Sequence, residues 1–360
     1  MLASVRACTR ACLAVCETAL PVSGMDVLVL LGSAVSCIAV GSRIAHAEDE
    51  EARGREGAAS TSVAYVQTST ALLLPVGASL LLLLLFFYLE QVTLLLAVLV
   101  CGCAALALYF VLSHLWMEWG CCSAPSATHP WTSSVAATTI SLSTLTLWWL
   151  WGHPWPLNNV LAMSLAVFQL HRVRIPSLQV AAVLMTGLFV YDIFWVFHSA
   201  NVFGKNVMVK VAQSVDMPIK LVAPNSQGYS MLGLGDIFVP GLVIVYMYRA
   251  DMMRLTQTAC TIEAPPWSFV WLQQRVFGHP FPHKGSLYRT SLLGYLAGLL
   301  MAFWAVRTFQ VAQPALLYLV PSTLIPIVIH SHASHMLRAV WTGSCIKNAQ
   351  TTPQDLDFPV

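Results

Sequence analysis

Charge is what this sequence lacks. Only 9% of its 360 residues are charged, whereas 57% are hydrophobic, and its mean hydropathy is +0.70. A water-soluble domain carries roughly a quarter charged residues, because its surface must be solvated. A chain this poor in charge sets most of its surface against lipid, which excludes a soluble globular domain. A net charge of +2 and the lack of any basic run exclude a nucleic-acid partner. The ten cysteines show neither a paired C-x-x-C spacing nor a regular disulfide framework. Cys8, Cys12 and Cys16 recur every four residues and read first as small apolar residues, second as disulfide or lipid-anchor sites. Cys121 and Cys122 follow an apolar span, a place where acylation occurs. No Asn-x-Ser/Thr sequon is present, so no N-glycan is expected.

Long apolar runs are what is there. Crossing a bilayer as a helix takes roughly 20 apolar residues. Nine segments qualify, near 25–45, 70–89, 91–113, 134–152, 157–171, 178–199, 229–248, 289–309 and 311–330. The fifth is short and the second and third are nearly continuous, so eight spans is the alternative. The expected fold class is an all-α membrane protein of about nine transmembrane helices. Arg6 and Arg10 precede an apolar stretch in the manner of a signal peptide. The polar 18–23 region interrupts it, and a retained first span is the favoured reading. Stretches 48–57, 115–133, 200–228 and 249–288 read as connections. With nine spans, most of the 18 lysines and arginines fall on the side of the C-terminus, among them Arg43, Arg172, Arg174, Arg249 and Arg338. The positive-inside rule then places the N-terminus in the lumen and the C-terminus in the cytosol.

Two acids sit where acids are costly. Asp192 lies within LFVYDIFWVF and Asp236 within MLGLGDIFVPGLVIV. An ionised side chain at the bilayer centre costs roughly 2.5–3.5 kcal/mol on insertion scales, and neither segment carries a basic residue at helical spacing. These carboxylates are expected to face one another or a watery cavity. A facing pair does not readily ionise twice and so holds one proton between its members. One member can then take a proton from water while the other polarises a peptide carbonyl. A proton relay or a polar clamp between helices accounts for the two acids equally well.

The flanking residues add specificity. The chain reads Gly187-Leu188-Phe189-Val190-Tyr191-Asp192, then Gly233-Leu234-Gly235-Asp236, then Gln313-Pro314-Ala315-Leu316 running on to Pro321. YD, GxGD and PAL, in this order on three late spans, resemble the presenilin and signal peptide peptidase family of intramembrane aspartyl proteases. The likeness is strong over roughly 175–330 and includes 206–224 between the acids. The first 130 residues match only in having apolar spans. The signal peptide peptidase branch fits better than presenilin, since only 43 residues separate the two acids and leave no long hydrophilic loop.

The resemblance implies a presenilin-like fold, with Asp192 and Asp236 as catalytic dyad. It implies N-terminal scaffold spans over 1–174, a catalytic region over 175–345 and a cytosolic tail over 346–360. Gly233 and Gly235 are expected to permit close backbone approach beside the second acid, with helix packing as their ordinary role. Tyr191 would hydrogen-bond near the dyad, line the substrate path, or simply pack. Pro314 frees a carbonyl and fixes a bend, and Ala315 and Leu316 inherit an expected role in substrate binding. The substrates implied are transmembrane peptides, such as remnant signal peptides and type II segments, in the endoplasmic reticulum membrane. No cofactor, metal or obligate partner subunit is implied, and a homo-oligomer is expected. A helical peptide bond must be unwound before it is cut, and the 217–222 stretch has the extended character of a strand edge for the unwound chain to pair with.

Other signals carry less. His330, His332 and His335 cluster without a carboxylate or cysteine to complete a metal site. His279 and His283 lie in a proline-rich connection. HExxH is absent, against zinc proteolysis, and so is a GxSG-type serine element. Gly294 and Gly298 have the GxxxG spacing of ordinary helix packing. The C-terminus lacks a dilysine retrieval signal. The rival readings are a proton-coupled transporter or channel with Asp192 and Asp236 as relay sites, and a scaffold that binds helices without cutting them.

Overall fold

The computed structural model describes residues 24–54, 64–120, 130–199, 202, 217–225, 228–258, 286–309 and 313–344. Cys8, Cys12, Cys16, Cys121, Cys122, His279 and His283 lie outside the described residues, as do 206–216 of the stretch between the acids.

Helices build the molecule. They are α1 (Met25–Gly54), α2 (Thr68–Tyr88), α3 (Gln91–Trp116, with its last turn reaching Gly120), α4 (Pro130–Leu150) and α5 (Trp155–Arg172). They continue with α6 (Leu178–Ile193), α7 (Leu234–Thr258), α8 (Leu287–Phe309), α9 (Leu316–Ala333) and the short α10 (Leu337–Thr342). Six of them, α1, α2, α3, α6, α8 and α9, are long and apolar enough to cross a membrane among the described residues. For α6 that length includes the π-helical turn Phe194–His198. The other three long helices occupy predicted spans but carry more polar residues. Serine and threonine crowd α4, Asn158 and Asn159 open α5, and Arg249 and Asp251 sit in α7. The chain is a multi-pass, mainly helical membrane protein.

The boundaries follow local chemistry. Tyr88 leaves helical geometry (φ −114°, ψ 24°), which separates α2 from α3 inside one leucine-rich run. Pro154 and Pro156 preset the start of α5. Ser177 caps α6 by accepting the Val180 N–H. Gly343, at φ 77°, closes α10 in the left-handed conformation. α1 outruns its predicted end because its acids are paired in the structure. Asp49 accepts from Arg174 and Arg249, and Glu48 meets Arg174 at 3.1 Å and His171 at 3.0 Å. Arg249 is only 2% exposed, and buried charge is tolerated where it is paired.

Two small β pairs break the all-helical pattern. β1 (Ala64–Tyr65) runs parallel to β2 (Val173–Arg174). β3 (Lys220–Asn225) and β4 (Gly228–Gly233) form an antiparallel hairpin in which Leu221 faces Leu232 and Lys220 faces Gly233. The predicted seventh span therefore begins late. Residues 229–233 are strand, and helix starts at Leu234.

Small residues let the helices close on one another. Leu170 of α5 fills the space beside Gly41 of α1 and Gly241 of α7. A Cβ at either glycine would lie 3.0 or 2.8 Å from that side chain. Gly187 of α6 admits Pro75 of α2, and Ser79 of α2 accepts the Trp195 indole N–H at 3.1 Å. The GxxxG pair of α8 does what its spacing suggests. A Cβ on Gly294 would overlap the Ser322 carbonyl, and one on Gly298 would lie 3.0 Å from the Tyr318 carbonyl, so α8 and α9 pack backbone to backbone.

Candidate functional site

The two acids come from α6 and α7. Asp192 is the penultimate residue of α6, immediately before the helix widens into the π turn. Single π turns gather at functional sites. Asp236 is in the first turn of α7. Asp192 is buried and Asp236 half-buried, and the two carboxylates lie within electrostatic reach of one another.

The PAL segment meets the first acid. Pro314, which has no N–H, and Ala315 lead into α9, and the Leu316 N–H donates to Asp192 Oδ2 at 3.1 Å. The first N–H groups of a helix have no partner within it, so the start of α9 supplies a donor that side chains need not. The close packing of α8 on α9 sets the height at which that donor sits. YD, GxGD and PAL, spread over more than a hundred residues, are brought to one place.

The flanking residues behave differently from one another. A Cβ on Gly233 would touch Asp236 Oδ2 at 3.4 Å, whereas one on Gly235 would meet nothing within 4 Å. Helix packing therefore does not account for Gly235, which borders open space. Tyr191 is half-buried, packs its ring 6.4 Å from Trp195, and lies within electrostatic reach of Asp192.

Extended backbone runs into the second acid, but along the strand opposite to the one expected. Val222 donates its N–H to Asn159 Oδ1 at 2.8 Å, and its carbonyl accepts from Asn159 Nδ2 at 2.7 Å. Asn158 Nδ2 donates to the Lys220 carbonyl at 2.8 Å. The outer edge of β3, over the expected 217–222 stretch, is thus occupied by α5. Antiparallel alternation makes Leu221–Leu232 and Ala223–Ser230 the hydrogen-bonded pairs. It turns the N–H and C=O of Met231 and the N–H of Gly233 to the far side of β4, and Met231 is 51% exposed. Among the described residues no strand pairs with the far edge of β4 at Met231, and that edge ends three residues before Asp236.

Several contributors were not legible beforehand. Asn158 and Asn159 act as a strand would, and two amides in an apolar span were their only signal. Tyr295 of α8 is wholly buried, lies within electrostatic reach of Asp236, and has a hydroxyl without a hydrogen-bond partner among the described residues. Nothing in its apolar surroundings marks it. The histidine cluster resolves separately: His330 Nδ1 sits 2.5 Å from the Thr290 hydroxyl.

Comparison with known proteins points the same way. The signal peptide peptidase family model matches residues 58–347. Signal peptide peptidase-like 1 of Oryza sativa is 30% identical over 326 residues, covering 77% of this chain and 82% of that protein. Intramembrane protease 2 of Caenorhabditis elegans is 34% identical over 197 residues, 52% of this chain and 38% of that protein. The Mus musculus signal peptide peptidase is 32% identical over 196 residues, 52% of this chain and 43% of that protein. The matches to the nematode and mouse proteins thus span less than half of their length.

Proposed function

Because the chain belongs to the signal peptide peptidase family of intramembrane proteases, we propose that it cuts peptide bonds within transmembrane helices by aspartic catalysis, with Asp192 and Asp236 as the dyad. One observation carries this reading. Two acids from separate helices lie together beside a backbone N–H, at the end of a strand with an open edge. Family membership favours proteolysis over the relay and scaffold readings.

The chemistry needs one proton shared by the pair. The ionised carboxylate accepts a proton from water as the water oxygen attacks the scissile carbonyl carbon. The protonated carboxyl gives its proton to the carbonyl oxygen, forming a neutral gem-diol. Collapse of the diol breaks the C–N bond. The ionised carboxylate takes one hydroxyl proton while the protonated carboxyl gives its own to the leaving nitrogen. The other hydroxyl stays on the new carboxylic acid, the amine departs, and the pair again holds one proton. The Leu316 N–H holds the Asp192 carboxylate in place through the cycle. Gly235 keeps the approach to Asp236 open, and Tyr191 bounds the site beside Trp195.

Substrate enters this scheme as an extended strand. Met231 offers an N–H and a C=O, and Gly233 an N–H, that an unwound transmembrane segment can pair with. Such a strand would deliver its scissile bond to Asp236 at the end of β4. Remnant signal peptides and type II membrane segments are the substrates this reading assigns. The setting is the endoplasmic reticulum membrane, with a luminal N-terminus and cytosolic C-terminus, and the chain acts alone or as a homo-oligomer. Residues 1–174 serve as scaffold and 175–345 as the catalytic region, with 346–360 as a tail.

The test is purified protein in proteoliposomes with a signal-peptide-derived transmembrane substrate. Cleavage that a hydroxyl-bearing transition-state analogue of aspartyl proteases blocks is the expected result. Cleavage insensitive to such an analogue, or ion flux without any cleavage, contradicts the proposal.

A further inference from the structure

β4 is held at one face by a charged contact that the dyad chemistry does not use. Ser230, at its centre, donates its hydroxyl to Asp26 Oδ2 at 2.5 Å. Asp26 belongs to the first turn of α1, is 3% exposed, and receives Arg307 Nη2 on both carboxylate oxygens at 2.8 and 2.9 Å. Arg307 closes the last turn of α8. Three elements distant in sequence thus meet on one carboxylate: the start of α1, the end of α8, and the strand that runs into Gly233.

The contact is more specific than fold cohesion requires. A buried carboxylate is costly unless it is paired, and the arginine alone supplies that pairing. The serine hydroxyl adds a bond whose mechanical effect falls on β4. Successive side chains of a strand point to opposite faces. Fixing Ser230 toward Asp26 therefore sets the pleat of the next residue, Met231, and of Gly233 beyond it. β3 alone fixes the register of β4, but not its tilt relative to α1 and α8.

We propose that the Asp26–Ser230–Arg307 contact is a positioning latch that holds the open edge of β4 in the orientation a substrate strand pairs with. This inference rests on the strand-pairing reading of β4 given above. Asp26, Ser230 and Arg307 touch neither substrate nor the reacting atoms. They act through the backbone of Met231 and Gly233.

The experiment has two readouts. Cleavage of a transmembrane substrate by the full chain gives KM and kcat for the wild type, Ser230→Ala, Ser230→Thr and Asp26→Asn. The second is photocrosslinking of a substrate carrying a photoreactive side chain to the 228–233 segment, in the Asp192→Ala background. Ser230→Ala is expected to raise KM roughly five-fold, the size of one hydrogen bond lost, with kcat and melting temperature little changed. It is also expected to cut crosslinking in proportion, and Ser230→Thr, which keeps the hydroxyl, to restore both. Asp26→Asn, which keeps an acceptor for Ser230 but weakens the arginine contact, should fall between them. Crosslinking to 228–233 that is undiminished by Ser230→Ala, or an equal loss in Ser230→Thr, overturns the latch. No crosslinking in the otherwise unaltered chain overturns the strand-pairing reading and the latch with it. Cleavage that survives Asp192→Ala overturns the dyad instead.

Discussion

Gly233 and Gly235 flank the same acid and meet different surroundings. An added methyl at 233 touches the Asp236 carboxylate, and at 235 it enters open space. Alanine in a helix is more stable than glycine by up to about 1 kcal/mol. Gly235→Ala is therefore expected to leave the melting temperature unchanged or raised while cleavage falls, because the methyl occupies the approach to the dyad. Unaltered cleavage with normal KM would remove Gly235 from the site. The dyad itself makes a prediction in pH. It works only when the pair holds one proton, so the rate should fall on both the acid and the alkaline side of an optimum. A rate that rises or falls monotonically over the whole range in which the protein stays folded contradicts a shared proton. The acids were legible in the sequence because an unpaired carboxylate inside an apolar run has few structural uses. Tyr295 was not, since a tyrosine among leucines reads as packing whatever its hydroxyl faces.

Elements show where periodicity gives out. The run YSMLG before Leu234 is as apolar as the helix it precedes, and a short apolar run does not distinguish strand from helix. The hairpin therefore reads as the first turn of a span until its pairing with β3 is seen. α1 illustrates the opposite error. Glu48 and Asp49 read as a solvated linker because their partners, His171, Arg174 and Arg249, lie more than a hundred residues away. The edge of β3 was misassigned for a similar reason, as its occupant, Asn159, comes from α5. The α8–α9 contact was readable from GxxxG alone, and it carries a consequence for the site. α9 supplies the N–H that meets Asp192, so spreading the two helices should move that donor. Gly294→Val places a branched side chain against the Ser322 carbonyl. Overpacking of this kind costs about 1–3 kcal/mol. The expected outcome is a lower melting temperature with a loss of cleavage larger than the unfolded fraction explains. A stability loss with full specific activity in the folded fraction would separate α9 packing from the site.

At the scale of the whole molecule, the late helices bring three motifs together and the early ones hold them. α1 and α5 pack against α7 through Leu170 and the paired charges, and α5 pins β3 with two asparagines. Class and membrane character followed from composition, since a chain with so little charge has nowhere else to go. The order of the motifs pointed to the family, which the match over residues 58–347 bears out. What the sequence left open was the tertiary arrangement: which strand edge is free and which helix end faces which acid. The central claim is that the acid pair is the chemistry. It is tested most directly by cleavage of a transmembrane substrate by purified wild-type protein, Asp192→Ala and Asp236→Ala, with folding checked by melting temperature. The account predicts that each mutant stays folded and that each alone loses activity by at least on the order of 10²- to 10⁴-fold. Cleavage retained by either folded mutant would contradict it.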